Sequence, residues 1–251
     1  MAARATEHLH TAAKGLDLLT PDALAAVLVA GQVVAAQCVA GAGRGLAAAG
    51  QAAARTIAAG GTLHYFAAGS SGLMAAADAL ELGGTFSIPP AQIKIHMAGG
   101  MPQGVEMPGD VEDGPAHGAD DVRRGDTAIF VSASGTTPYT VAAATRVKPT
   151  GATLVSLANN PETPLLALAD IAICLETPAE VLAGSTRLGA ATAQKIALNT
   201  ISTVMAVALG HVHDGMMVNV TADNAKLRAR ARRIVQAVSD APDAVVHDAI
   251  D

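Results

Sequence analysis

The stretch from Leu63 to Glu81 constrains the fold more than any other part of the chain. An apolar run from Leu63 to Ala68 ends at residues 69–72, Gly-Ser-Ser-Gly, and a helix-forming run to Glu81 follows. This order predicts a strand, a tight turn and a helix that also carries Asp78. Glycines let the backbone approach a ligand closely, and the unpaired N–H groups at a helix start suit an anion. Taken alone, the stretch fits either a phosphate-binding turn or an ordinary capped helix start.

A second unit of the same kind, with a strand, a loop of glycine, serine and threonine, and a helix, follows about sixty residues later. Residues 127–133 predict a strand, residues 134–137 form a hydroxyl-rich turn, and Pro138 suits the first position of a helix over about 138–147. Ligands of open α/β sheets bind beyond the carboxyl ends of strands, so two such turns predict one shared polar pocket. We expect phosphate to bind to the hydroxyl groups of these turns, which belong to Ser70, Ser71, Ser132, Ser134, Thr136 and Thr137.

The remaining apolar runs extend this pattern into an α/β fold. Strands are expected at about 93–97, 153–158 and 171–175, and helices at about 165–169 and 188–210. The alternation of strands and helices predicts a parallel sheet with right-handed crossovers.

Helices are also expected outside this core. A short helix is predicted at 5–15, and two longer ones at about 21–40 and 44–59. The first of the long helices is apolar on nearly all sides, which predicts burial, for example between subunits. A basic helix is predicted from Asn224 to Val238, and the last dozen residues are expected to fray.

Residues 99–126 are rich in glycine, proline and acidic side chains and have no apolar periodicity. A loop of this length inside a compact domain is commonly functional, and disorder is the alternative.

Composition limits the classes of function. The formal net charge of −6 argues against a nucleic-acid partner. No apolar run of about twenty residues without charge or glycine appears, so we expect no membrane span. Two cysteines, Cys38 and Cys174, are too few for a disulfide framework and favour buried thiols in a cytoplasmic protein. The spacing of the eight histidines predicts no metal site.

The order of several motifs resembles the sugar isomerase (SIS) superfamily and, within it, the N-acetylmuramic acid 6-phosphate etherase family. The motifs that carry this resemblance are Gly69-Ser70-Ser71-Gly72 with Asp78 and Glu81, Ala98-Gly99-Gly100, Val111-Glu112-Asp113, Ser132-Ala133-Ser134-Gly135, Thr137-Pro138-Tyr139, Asn160-Pro161, Gly184-Ser185-Thr186-Arg187-Leu188, Thr192-Ala193-Gln194-Lys195 and Lys226-Leu227-Arg228.

The resemblance implies a single SIS domain over residues 1–251, a three-layer sandwich with a five-stranded parallel sheet flanked by helices. Residues 1–60 would be N-terminal helices, 61–210 the phosphosugar-binding core and 211–251 a helical tail. It implies a homodimer with a shared active site and no metal or organic cofactor. The implied reaction cleaves the D-lactyl ether of N-acetylmuramic acid 6-phosphate to N-acetylglucosamine 6-phosphate and D-lactate, a step in cell-wall recycling.

The resemblance also implies roles for single residues. Glu81 matches the acid that protonates the departing lactate, and Glu112 matches the base that removes the C2 proton. The implied substrate-binding residues include the six hydroxyl residues of the two turns. Those that the resemblance adds are Gly69, Gly135, Glu180, Ser185, Arg187 and Lys195.

Two features leave alternatives open. The family pattern has arginine where this chain has Leu73 and Thr136, so a phosphosugar isomerase or a non-catalytic phosphosugar sensor remains possible. Glu81 lies ten residues beyond Ser71, roughly 15 Å along a helix. We therefore expect that Glu81 completes the site of the partner subunit, or that the helix ends early and turns back.

Overall fold

A five-stranded parallel sheet forms the centre of the molecule in the computed structural model, which describes residues 5–107, 110–239 and 241–250. The strands occur in the order β2-β1-β3-β4-β5 across the sheet. Their bounds are β1 Leu63–Ala67, β2 Ile93–Met97, β3 Thr127–Ser132, β4 Thr153–Ala158 and β5 Ile171–Cys174. All four pairings are parallel, which confirms the predicted sheet.

Helices cover both faces of the sheet and complete the predicted three-layer sandwich. The helices are α1 Pro21–Cys38, α2 Gly43–Ala58, α3 Gly69–Ala79, α4 Leu82–Phe86, α5 Pro138–Val147, α6 Pro164–Leu168, α7 Gly189–Ala208, α8 Ala225–Val238 and α9 Asp243–Ile250. Helix α7 contacts both α2 and α3, and these three helices cover one face, while α5 and α6 cover the other. The two clusters of buried side chains lie on opposite sides of the sheet because strand residues alternate in direction.

Helix α1 starts as the sequence predicts but is far less buried than expected. The Thr20 hydroxyl accepts a hydrogen bond from the Ala23 N–H at 3.4 Å, which caps the helix. Only Ala35 of α1 is fully buried, whereas Val29 is 62% exposed and Val33 50% exposed. In a single chain, therefore, most of this apolar helix faces outwards.

The same region meets the length and composition of a membrane-spanning helix, contrary to the expectation from sequence. The helical segment Pro21–Ala58 has 38 residues and a mean hydropathy of 2.0, and 11% of its span-length window is buried. Core helices and signal sequences meet the same criterion, so length and composition alone are weak evidence for a span.

Helix α3 differs from its predicted bounds at both ends. Residues 69–72 form its first turn rather than a loop before it, and the Gly72 N–H already donates to the Ala68 carbonyl at 3.0 Å. The helix ends at Ala79, and the chain begins α4 at Leu82. Glu81 thus lies between two helices, which agrees with the expectation that the predicted helix ends early.

Three further expectations fail, two of them at the termini. Residues 5–15 contain only a 3₁₀ turn at Ala5–Glu7 instead of a short helix. Helix α8 matches the predicted basic helix, but the expected frayed end is wrong: α9 contacts α8, and Val246 is 2% exposed. The two cysteines are free but only partly buried.

Aromatic rings stack on the α5 side of the sheet. The Phe66 ring lies 4.3 Å from the His96 ring and 5.0 Å from the Phe130 ring, and the His64 ring stacks on His96 at 5.2 Å. His64 Nδ1 lies 3.0 Å from His96 Nε2, and Asp126 is 3.4 Å from His64 Nε2. Burial among these rings and the neighbouring His64 lower the pKa of His96 to about 4.

Acid should therefore destabilise the fold through His96. Asp121 and Lys94 also face this pair, with opposite effects on the pKa of His96. Because the folded state holds the pKa of His96 near 4, below the unfolded value of 6.5, the unfolded chain binds more protons between these values. We expect the free energy of unfolding to be constant above about pH 6.5 and to fall towards pH 4. Urea unfolding at pH 7 and pH 5 measures this loss, which His96→Phe should reduce and the exposed control His8→Gln should not. An equal loss in wild type and His96→Phe would contradict the assignment.

Candidate functional site

A polar pocket of about 320 Å³ lies at the carboxyl ends of β1 and β3, which are neighbours in the sheet. Two hydroxyl-rich turns, one after each strand, supply much of its wall, as the sequence predicts. The lining residues are Glu7, Ala68, Ser70, Ser71, Glu112, Ala133, Ser134, Thr136, Thr137, Pro138, Gly184 and Thr186.

The first wall is the start of α3. Ser70 and Ser71 lie in the first helical turn, where backbone N–H groups have no partner within the helix. Gly69 adopts a φ of +53°, a conformation that disfavours residues with a Cβ atom. A Cβ at Gly69 would lie 2.8 Å from Glu112 Oε1, so glycine also gives the Glu112 carboxylate room to approach this turn.

The second wall is the turn before α5, which hydrogen bonds hold in shape. The Ser132 hydroxyl accepts the Gly135 N–H at 3.0 Å and shares a 2.8 Å hydrogen bond with the Thr137 hydroxyl. The Ser134 hydroxyl accepts from the N–H and the hydroxyl of Thr136. Ser132 is 1% exposed and lies behind the pocket wall, so in this structure it supports the turn rather than lining the cavity.

Position 135 requires glycine for two reasons, its positive φ angle and its close contact with Thr163. Its φ is +69°, and an added Cβ would lie 2.4 Å from the Thr163 hydroxyl oxygen. The turn can therefore lie against the start of α6 only if residue 135 is glycine.

The predicted functional loop brings Glu112 to the pocket. The Tyr139 N–H donates to the Glu112 carbonyl at 2.8 Å. The Tyr139 hydroxyl donates to the carbonyls of His96 and His117, both at 3.2 Å. Burial raises the pKa of Tyr139 to about 12, so its hydroxyl remains a donor at neutral pH. The first turn of α5 thus fixes the loop, of which residues 108 and 109 lie outside the described part.

Glu81 lies in a different cavity. This second cavity, of about 420 Å³, is bounded by α3, α4, α7 and the short β6–β7 hairpin, Val212–His213 and Met216–Met217. Beneath Glu81, the buried Asp78 carboxylate accepts hydrogen bonds from Tyr65, Asn199 and Ser202 at 2.8–2.9 Å. Burial raises the pKa of Asp78, although these three donors oppose the shift. Within one chain, Glu81 and Glu112 do not share a cavity.

Six other predicted site residues also lie outside the lining of the first pocket, and two of them are the turn glycines Gly69 and Gly135. The Glu180 carboxylate is 5% exposed and accepts the N–H groups of Gly189 and Ala190 at 2.9 and 2.8 Å, which caps α7. Ser185 sits between two lining residues, Gly184 and Thr186. Arg187 is exposed, and Lys195 is exposed on α7, where it donates to the Asn199 side-chain oxygen.

The structure adds lining residues that the sequence did not indicate. Gly184 and Thr186 belong to a motif already singled out, so the segment was identified but not its contacting residues. Glu7 comes from the N-terminal turn, far away in sequence, and no local pattern marks it. Among the described lining residues there are two carboxylates and no lysine or arginine. In the described ranges, no cluster of three or more histidine, cysteine, aspartate or glutamate side chains could hold a metal ion.

The fold and the pocket are those of a phosphosugar-binding SIS protein, and comparisons with known proteins agree. The SIS domain profile matches residues 103–208. A phosphoheptose isomerase from Francisella tularensis has the same fold, with a TM-score of 0.54 at 16% identity over 74% of this chain and 98% of that one. The Vibrio vulnificus NanR protein, solved with ManNAc-6P, gives a TM-score of 0.52 at 19% identity over 90% of this chain and 73% of that one.

Relatives with similar sequences identify the family within the SIS proteins. An N-acetylmuramic acid 6-phosphate etherase from Deinococcus radiodurans is 46% identical over 93% of this chain and 78% of its own length. Another, from Rubrobacter xylanophilus, is 42% identical over 82% of this chain and 70% of its own length. The chain belongs to the N-acetylmuramic acid 6-phosphate etherase family.

Removing the Glu180 carboxylate should affect stability rather than ligand binding. Glu180→Ala leaves the buried N–H groups of Gly189 and Ala190 without an acceptor, which should cost about 2 kcal/mol in the free energy of unfolding. Glu180→Gln, which keeps one acceptor oxygen, should cost less. Urea denaturation measures both values. Unchanged stability together with weaker binding of a sugar phosphate would instead support a role for Glu180 in the pocket.

Proposed function

We propose that this protein cleaves the D-lactyl ether of N-acetylmuramic acid 6-phosphate, giving N-acetylglucosamine 6-phosphate and D-lactate. The observation that carries the proposal is the single pocket that joins two hydroxyl-rich helix starts to the Glu112 carboxylate in a chain of this family. We also propose that it acts in the cytoplasm, in the recycling of cell-wall amino sugars.

The two helix starts supply the phosphate site in this proposal. Helices α3 and α5 both begin at the pocket, so their positive dipole ends favour a dianion, and the first turn of α3 adds backbone N–H groups without a partner in the helix. Hydroxyl donors from Ser70, Ser71, Ser134, Thr136 and Thr137 surround the same space. This set holds phosphate without a basic side chain, so the arginines of the family pattern at positions 73 and 136 are not essential for anchoring.

The sugar then reacts in its open-chain form. The C1 aldehyde acidifies the C2 proton, and the Glu112 carboxylate removes it. The C–H electron pair forms the C2–C3 double bond as the C3–O bond breaks, and the lactate oxygen takes a proton from an acid. Water then adds to C3 and a proton returns to C2. Positioned acid–base groups contribute roughly 10²–10⁴-fold each to such steps.

We propose that the acid is Glu81 of a second copy of the chain. Glu81 lies outside the Glu112 pocket of its own chain, and the acid must lie within hydrogen-bonding distance of the leaving oxygen. A homodimer would also cover the exposed apolar side chains of α1, such as Val29 and Val33. A monomer in solution, or one that partitions into vesicles through α1, would contradict this part of the proposal.

An isomerase is the second candidate, and the position of Glu81 is the observation that favours it. Isomerisation of an aldose phosphate needs a base at C2 but no acid for a leaving group at C3. The pocket of one chain, with Glu112 alone of the two predicted acids, would be enough for that reaction.

Lactate release separates these candidates. Purified protein mixed with N-acetylmuramic acid 6-phosphate should release D-lactate, measured with a coupled lactate dehydrogenase. Glu112→Gln should lower kcat by about 10²–10⁴-fold, with ligand binding within a few-fold of wild type, because the amide cannot take the C2 proton. Aldose–ketose interconversion without lactate would identify an isomerase. Binding without any turnover would identify a sensor.

Mixed dimers test whether the active site is shared. Glu81→Gln and Glu112→Gln should each be inactive alone. If each site takes Glu112 from one chain and Glu81 from the other, a mixed dimer of the two variants contains one intact site. Random exchange of subunits should then restore about a quarter of wild-type lactate release, because half the dimers are mixed and each has one working site. No recovery after confirmed subunit exchange would mean that both acids act within one chain.

A further inference from the structure

The N-terminal 3₁₀ turn, Ala5–Glu7, reaches the phosphosugar pocket from outside the α/β core. Glu7 lines the pocket together with residues of both hydroxyl-rich turns and with Glu112. It is the one acidic lining residue besides Glu112 among the described residues, and the proposed reaction assigns it no role.

The contacts of the preceding residue hold Glu7 in this position. Thr6 is 1% exposed, and its hydroxyl oxygen accepts a hydrogen bond from the Asn160 amide at 3.2 Å. The same Asn160 amide donates to the Ala133 carbonyl at 3.0 Å, and Ala133 belongs to the pocket wall. Asn160 thus ties the N-terminal turn directly to the turn before α5. The turn forms part of the pocket wall and is not a loosely attached terminus.

Charge determines which part of a ligand Glu7 can contact. An ionised carboxylate accepts hydrogen bonds but donates none, so it repels a phosphate dianion at close range. The phosphate oxygens have the hydroxyls of both turns and the N–H groups of the first turn of α3 as partners. The groups that a carboxylate favours are the O–H and N–H donors of a sugar.

We infer that Glu7 is a substrate-contacting residue that binds the hydroxyl or amide N–H groups of the sugar and so selects a phosphosugar over a bare phosphate. This inference rests on the proposed function only in taking a phosphosugar as the ligand. It adds a selective contact that the resemblance to the etherases did not supply. Because Glu7 contacts the sugar before and during the reaction, its loss should raise KM more than it lowers kcat.

Calorimetric titration of Glu7→Ala with two ligands tests the inference. N-acetylglucosamine 6-phosphate should bind about 10- to 100-fold more weakly than to wild type, the range expected for losing a hydrogen bond to a charged acceptor. Inorganic phosphate should bind equally well or more tightly, because a repelling charge has been removed. Asp17→Asn, an exposed acid in the same N-terminal region, should leave both affinities unchanged.

A structural role would give a different pattern. If Glu7 only supported the pocket, Glu7→Ala would weaken the binding of the sugar phosphate and of inorganic phosphate by similar factors. That result would overturn the inference. Unchanged affinity for both ligands would also overturn it, as would a fall in kcat at constant KM. Thr6→Val removes the hydrogen bond to Asn160. It should weaken binding of the sugar phosphate more than binding of inorganic phosphate, but by a smaller factor than Glu7→Ala does. These affinities can be measured whether or not lactate is released, so failure of the proposed reaction leaves the test intact.

Discussion

The direct hydrogen-bonded pairing of β1 with β3 is the constraint on which the rest of the structure depends. The two strands are parallel neighbours in register from Leu63 with Thr127 to Ala67 with Val131. Both therefore end at the same edge of the sheet, and the chain leaves each one into a helix. The starts of α3 and α5 meet there, so the positive ends of two helices face one cavity. If another strand lay between β1 and β3, the two turns would be too far apart to line one pocket, and neither turn alone would enclose a ligand.

Aromatic side chains are scarce in this chain, and the two tyrosines among them hold polar parts of the two cavities. Aromatic residues form 2% of the chain, and four of them are buried in or beside β1 and β3. Tyr65 donates to Asp78 below the second cavity, while Tyr139 holds the loop that carries Glu112. Small residues allow α2 and α7 to approach closely: a Cβ added at Gly50 would lie 2.5 Å from the Val204 side chain.

The electrostatics of the pocket suit a ligand with two different ends. In the proposed complex, the helix starts and hydroxyls would hold the phosphate end, and the carboxylates of Glu7 and Glu112 would face the sugar. The two predicted catalytic acids lie in separate cavities of one chain, and α1 leaves apolar side chains exposed. The proposed second copy of the chain would bring Glu81 of one chain to Glu112 of the other, and it would cover the apolar side chains of α1.

Local sequence determined the five strands of the main sheet, most of the long helices and the two hydroxyl-rich turns, because hydrophobic periodicity and glycine, proline and serine act over a few residues. The bounds of α5 and β4 follow from such signals, whereas the start of α3 does not, because Gly-Ser-Ser-Gly is a weak helix former that tertiary contacts hold in the first helical turn. The resemblance singled out Glu112 as a candidate base. Only the folded chain places its carboxylate beside Gly69, because the Glu112 carbonyl accepts a hydrogen bond from the Tyr139 N–H. Tertiary structure alone decided that Glu180 caps α7, that Glu81 faces another cavity and that Glu7 reaches the pocket. These positions depend on contacts between residues far apart in the chain, which no local pattern encodes.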